Sequence, residues 1–349
     1  MLATNDGAVH VSTSLLVKLF PVRPARRSLT PVNPARAYQR VARTILVAAA
    51  LIPAAFLPAA ETMKQNPEPA AAGLWAHDNL VAWCAVPFDA NKRGPEERAA
   101  MLAKLGFKHF AYDWRAEHVP TFDAEIAALQ KHGIDLLAWW FPFDAGDPAA
   151  SATLEVFKRH GVHPQLWVMQ SSKKPAAGLT DEQQIVRNAE RVAALAKLAA
   201  PYGCRVGLYN HNGWFGVLDH QLAVIDRVRT LGVSDVGIVY NFSHARDPQH
   251  DDTADFPALW QKIKPLVMAV NITGMRMDGQ IIYPSQGDSE LAMMRTIQES
   301  GWNGPVGVIA EKGGDAEITL KNYLIGVDWL AAELARPGSA GPKPFPEGK

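Results

Sequence analysis

Cysteine is nearly missing: Cys84 and Cys204 are the only two in 349 residues. That number excludes a disulfide framework and a cysteine-built zinc site. Both fall in apolar stretches that read as strands, the first and the fifth, and are expected to be buried apolar thiols. Net charge is missing as well, with 35 basic and 35 acidic residues, but the balance is uneven along the chain. Seven basic residues (Lys18, Arg23, Arg26, Arg27, Arg36, Arg40, Arg43) and one acid, Asp6, lie in residues 1–60, so the remainder carries −6. A mildly acidic body lacks the basic footprint that nucleic acid requires, and no such partner is expected. No Gly-rich phosphate turn follows the first apolar run, so no nucleotide cofactor is expected.

An apolar run of the roughly 20 residues that cross a bilayer is also lacking. The nearest approach is Ile45–Ala60 (ILVAAALIPAAFLPAA), interrupted by Pro53 and Pro58. It follows Arg36, Arg40 and Arg43, and it ends in small residues before Glu61. A basic segment leading into a short apolar run is the pattern of a secretory signal, which predicts an exported, periplasmic or extracellular protein. The alternative is an uncleaved anchor over 45–60, which would be the only membrane contact. Residues 61–78 are polar and rich in Ala and Pro, and read as a linker. The body is expected over 79–336, followed by a disordered tail over 337–349.

The body alternates short apolar runs with longer amphipathic segments. Predicted strands are Leu80–Val86, Phe107–Tyr112, Ile134–Trp140, Pro164–Met169, Arg205–Tyr209, Val236–Asn241, Leu266–Ile272 and Val306–Ala310. Their near-continuous apolar character is that of parallel strands covered on both faces. Helical patterns follow each one, and several stop at a glycine (Gly106, Gly133, Gly161, Gly232, Gly301). Thr180 with Gln183 opens the longest interior helix as an N-cap pair. Eight strand–helix units predict a single (β/α)8 TIM barrel.

In such a barrel the site is built where the strands end. Those positions hold Asp113 and Trp114 after the second strand, Trp140 at the end of the third and Gln170 after the fourth. Asn210, His211 and Trp214 follow the fifth, and Asn241 and His244 come with the sixth. Asn271 lies in the seventh, Glu311 and Lys312 follow the eighth, and Trp83 lies within the first. Amides, imidazoles and carboxylates among flat rings suit a carbohydrate, whose hydroxyls take hydrogen bonds and whose apolar face takes an aromatic. Because Trp139 and Trp140 are adjacent, one should face the helices and the other the barrel. His109, His132, His160 and His163 sit at strand starts or helix ends and read as structural or solvated. Asp247, His250, Asp251 and Asp252 read as a solvated loop.

Three stretches carry a resemblance: Gly207–Gly213 (GLYNHNG), Val239–His244 (VYNFSH), and Gly304–Val308 with the following Asp315, Lys321–Leu324 and Trp329–Leu330. With them, Leu80 to Leu334 resembles the sugar phosphate isomerase/epimerase superfamily, the xylose-isomerase-like barrels, as a divergent exported member. The resemblance implies a divalent metal held by carboxylates after strands five, six and eight and a His after strand seven. That metal would bind adjacent sugar oxygens and stabilise an enediolate. This sequence departs from the set: Tyr209-Asn210-His211 stands near the first position, Asn241 at the second and Asn271 at the His. Only Glu311 keeps a carboxylate, and His244 keeps the His of the strand-six Asp-x-x-His pattern. Amides in place of carboxylates weaken a Mg²⁺ or Mn²⁺ site. A Zn²⁺ site from His211, His244 and Glu311 stays open, as does metal-free chemistry.

The leading expectation is proton transfer on a free or oxidised (keto) sugar or glycoside, by an isomerase, epimerase or lyase. His211 or His244 would be the base, and Glu311 or Asp113 the second acid/base. Substrate contacts are expected from Trp83, Trp114, Trp140, Gln170, Asn210, Trp214, Asn241, Asn271 and Lys312. Two other readings compete: a glycoside hydrolase with Asp113 and Glu311 as paired carboxylates, and a carbohydrate-binding barrel without chemistry.

Overall fold

The computed structural model describes residues 71–170, 178–247, 250–276, 280–310 and 314–345. The signal or anchor segment and the linker up to residue 70 lie outside the described residues, as do Glu311 and Lys312.

Eight parallel strands close into a barrel. They are β1 (Leu80–Trp83), β2 (His109–Tyr112), β3 (Asp135–Trp140), β4 (Gln165–Val168), β5 (Val206–Tyr209), β6 (Val236–Asn241), β7 (Val267–Ile272) and β8 (Val306–Ile309). Closure is made by β1 beside β8, with Leu80 opposite Val306 and Trp83 opposite Ile309. The main helices are α1 (Pro95–Lys104), α2 (Phe122–Lys131), α3 (Pro148–His160), α4 (Asp181–Ala199), α5 (Leu218–Thr230), α6 (Phe256–Ile263), α7 (Glu290–Glu299) and α8 (Ala316–Ala335). Among the described residues no helix is long and apolar enough to cross a membrane.

Local chemistry accounts for the boundaries. The Thr180 hydroxyl accepts from the Gln183 N–H while Gln183 Oε1 accepts from the Thr180 N–H, a reciprocal cap at the start of α4. At the end of α3, Gly161 takes φ 63°, a left-handed turn that costs glycine nothing. β1 stops three residues short of its predicted end because Cys84 also turns left-handed, at φ 54°. Cys84 is therefore at the barrel mouth and Cys204 lies two residues before β5, so neither is in a strand, although both are buried as expected.

The barrel interior is filled with indole. Trp83, Trp140 and Trp167 cluster with Tyr209, and the Trp83 and Trp167 ring centroids lie 4.1 Å apart. Room for them comes from a strand glycine: a Cβ at Gly307 would lie 2.3 Å from the Trp83 ring. Trp139 faces the other way, against Phe122 of α2 and Phe157 of α3, so the adjacent tryptophans do divide between helices and barrel.

A charged clamp crosses the closing seam. Asp89, after β1, accepts from Arg93 Nη1 at 2.8 Å, and Arg93 Nη2 donates to Asp315 at 2.8 Å just before α8. The four histidines expected away from the mouth each have a surface partner: Asp135, Glu96, Asp123 and the Tyr202 carbonyl for His109, His132, His160 and His163. The segment after β6 is not the solvated loop expected. Arg246–Asp247 pairs with His250–Asp251 as a short antiparallel ribbon. The Arg246 guanidinium, only 8% exposed, bonds Thr253, Ser289 and the Arg276 carbonyl, so charge is consumed inside the fold instead of facing water. The segment after α8 is seated on the body as far as Phe345, whose ring lies 5.1 Å from that of Tyr283.

Candidate active site

All eight strands run the same way, so their C-terminal ends share one mouth. At the β5–β6 side two imidazoles meet: the ring centroids of His211 and His244 are 4.5 Å apart. Both are half-buried. His244 Nδ1 lies 3.0 Å from Asn212 Oδ1, and its Nε2 lies 3.2 Å from the Tyr209 hydroxyl. The ribbon supports this arrangement from behind, with His250 Nε2 3.0 Å from the His244 carbonyl oxygen.

Beneath the imidazoles three asparagines, Asn210, Asn241 and Asn271, are wholly buried. Asn210 Oδ1 accepts from the Asn241 N–H at 2.7 Å, and its amide N–H donates to the Asn241 carbonyl at 3.3 Å. Asn241 Oδ1 accepts from Asn271 Nδ2 at 2.7 Å, from the Ser243 N–H at 3.0 Å and from the Ser243 hydroxyl at 2.6 Å. Its Nδ2 donates to the Tyr209 hydroxyl. The two amides that replace the carboxylate and imidazole implied by the resemblance are thus bonded to each other.

Opposite this group, four strands away from β6 in either direction, stands Asp113. Its carboxyl is 2% exposed. It receives a hydrogen bond of 3.4 Å from the Val86 N–H and another from the Cys84 thiol. Its Oδ2 has no partner among the described residues. Burial pushes the carboxyl up to about 7, against the pull of Arg115. A group protonated near neutrality can give or take a proton.

The remaining expected residues divide by position. Trp140 is the half-buried member of the indole cluster and forms its upper surface, whereas Trp83 is fully buried below it. Trp114 turns to the helices, packing on Phe122 and donating its N–H to the Trp140 carbonyl. Trp214 stacks on His220 and donates to Asp181 at the start of α4. Gln170 donates to Asn188 of α4. Tyr209 and Asn212, which join the imidazoles to the amides, were not singled out from the sequence. The available signal was parity: Tyr209 is two residues past Gly207, whose added Cβ would meet the Trp167 ring inside the barrel.

The expected metal set of His211, His244 and Glu311 includes one residue, Glu311, that lies outside the described residues. Among them no three His, Cys, Asp or Glu side chains are grouped to hold a metal. Asn241 Oδ1 already accepts three hydrogens, and His244 has a partner at each ring nitrogen. No step below therefore runs through a metal.

The fold is a (β/α)8 barrel similar to that of solved xylose-isomerase-like TIM barrels. No family model matches the sequence, and no curated protein matches it. Solved structures match in fold at low identity. One is the IOLI protein with a bound zinc atom, at TM-score 0.57 and 14% identity, covering 73% of this chain and 98% of that one. A xylose isomerase domain protein from Alicyclobacillus acidocaldarius matches at TM-score 0.55 and 16% identity, covering 74% and 99%. The 3-keto-D-glucoside 4-epimerase of E. coli matches at TM-score 0.54 and 15% identity, covering 72% and 98%.

Proposed function

We propose that the protein is an exported sugar isomerase- or epimerase-like enzyme, or a lyase, that moves a proton on a free or oxidised (keto) sugar or glycoside. The observation that carries this reading is the imidazole pair at the mouth, with the buried Asp113 carboxyl, pushed up to about 7, at the end of the strand opposite. Support for the substrate class comes from the half-buried Trp140 and from the sugar epimerase among the similar folds. Export rests on the basic and apolar segment ending at Ala60.

The chemistry follows from position. An imidazole takes the proton from a carbon next to the carbonyl, the C–H electron pair becomes the C=C bond, and the C=O π pair moves to the oxygen as an enediol forms. Asp113, protonated near pH 7, donates to that oxygen or to the opposite face of the carbon. Returning the proton to the neighbouring carbon isomerises, and returning it to the other face epimerises. Loss of a β-substituent instead would be an elimination. Incubation with keto- and aldo-sugars and 3-keto-glycosides in D₂O, followed by proton NMR, should show exchange of one carbon-bound hydrogen that His211→Ala abolishes. Binding without exchange by any of them would overturn the enzyme in favour of a carbohydrate-binding barrel.

A further inference from the structure

We propose that the C-terminal segment from Gly338 to Phe345 is a strap that positions the end of β7, and with it Asn271, at the barrel mouth. The chain leaves β7 through Gly274–Met275 and returns antiparallel to it through Ile281–Ile282. The two passes move as one piece. Thr273 Oγ1 donates to the Ile282 carbonyl at 3.1 Å, and a Cβ at Gly274 would lie 2.1 Å from the Tyr283 carbonyl oxygen. A tight turn follows, in which the Gln286 N–H donates to the Tyr283 carbonyl at 3.2 Å. Pro284 is its second residue and Ser285 its third, at φ 78°. A left-handed third residue after proline is the type II pattern, and glycine fills it without strain. Serine does not, and the Ser285 hydroxyl, in a residue 1% exposed, has no partner among the described residues that would offset the cost. The turn must therefore be held by what surrounds it.

Two elements hold it. One is α8, which comes so close that a Cβ at Gly326 would lie 2.3 Å from the Pro284 carbonyl oxygen. The other is the strap: Gln286 Nε2 donates to the Phe345 carbonyl at 3.2 Å, and the Phe345 ring lies against that of Tyr283. Before it reaches the turn, the strap is fastened along α8. Glu333 accepts from the N–H groups of Gly338 and Ala340, both at 2.9 Å. The Ser339 hydroxyl donates to the Ala332 carbonyl at 3.1 Å, and Trp329 Nε1 donates to the Gly341 carbonyl at 3.1 Å. Lys343 then stands over the Trp329 ring, 5.9 Å from its centroid. The strap stands without any sugar chemistry, whereas its effect on turnover rests on the proton-transfer reading.

The test is amide hydrogen exchange in three proteins: the full chain, the full chain with Trp329→Phe and Glu333→Ala, and a chain stopped after Pro337. The double variant alters residues that bond the strap before it reaches the turn. Both altered proteins should exchange residues 281–287 roughly tenfold faster, with β4 and β5 unchanged. In the double variant labelled at asparagine, the side-chain amide resonances of Asn271 should shift as well. Adding Ser285→Gly to either altered protein should restore most of the protection, because glycine takes this φ without strain. Unchanged exchange at 281–287 in the double variant overturns the proposal, as does a rise spread evenly over the barrel. Asn271 resonances that stay in place while the turn loosens overturn it too. A strap that behaves as expected in a protein that exchanges no sugar hydrogen would sink the enzymatic reading alone.

Discussion

Replacing Asp113 by asparagine should make the protein more stable, by an amount set by pH. Burial raises this carboxyl from an ordinary 3.8 to about 7. Between those values the unfolded chain has lost the proton while the folded protein keeps it. The folded state then binds more protons, so its stability falls as pH rises. The cost is absent below about pH 4, grows through the window and is complete above about pH 7. At ~1.4 kcal/mol per pKa unit, a shift of ~3 units amounts to ~4 kcal/mol. The substituted amide would keep an oxygen for the Val86 N–H and place its NH₂ where Oδ2 now lacks a partner. Urea unfolding of both proteins at pH 4 and pH 8 measures the effect. The stability gap in favour of Asp113→Asn should widen by ~4 kcal/mol between them. Glu125 and Glu290 are also raised by burial, but they are common to both proteins and cancel in the difference. A gap that is constant with pH, or that narrows, would refute the reasoning.

Two further outcomes are expected. Gly307→Ala drives a methyl into the Trp83 ring from 2.3 Å, and should lower stability by ~1–3 kcal/mol, seen as a reduced melting temperature; an unchanged one would mean that the indole cluster yields freely. The expected set of His211, His244 and Glu311 is decided by mass spectrometry of protein grown with added Mn²⁺ and Zn²⁺: one equivalent lost with His211→Ala or His244→Ala would establish a metal-assisted mechanism, and none would leave acid/base chemistry to the side chains alone.

The barrel was legible because parallel strands covered on both faces are written as short apolar blocks, and each block here is closed by a helix with its own stop. Val236–Asn241 was bounded to the residue, whereas Leu80–Val86 was too long. Cys84 turns left-handed and its thiol bonds Asp113, and no local propensity announces that turn. At the site, the proximity of His211 and His244 followed from strand order alone. What did not follow was the use made of each side chain. Trp114 and Trp214 read as sugar platforms, yet their indole N–H groups are committed to the Trp140 carbonyl and to Asp181. Tyr209 was placed at the end of the fifth strand but given no role, since a strand-end tyrosine differs from a buried phenylalanine only through the partner of its hydroxyl. The ribbon after β6 was missed because alternating charge looks solvated until a fold supplies Thr253 and Ser289 to meet it.

The Arg93 clamp has a bearing on how the chain is made. Asp89 and Arg93 belong to the first strand–helix unit, but Asp315, which Arg93 bridges to Asp89, belongs to the last. A ribosome working from the N-terminus releases residue 315 only when nearly all of the barrel has been synthesised, so the ring stays unlatched until then. Contacts this distant in sequence also form slowly, because the loop they close is long. On the proposed export route this delay is useful: a nascent chain that cannot yet lock its ends together remains extendable enough to be threaded across a membrane.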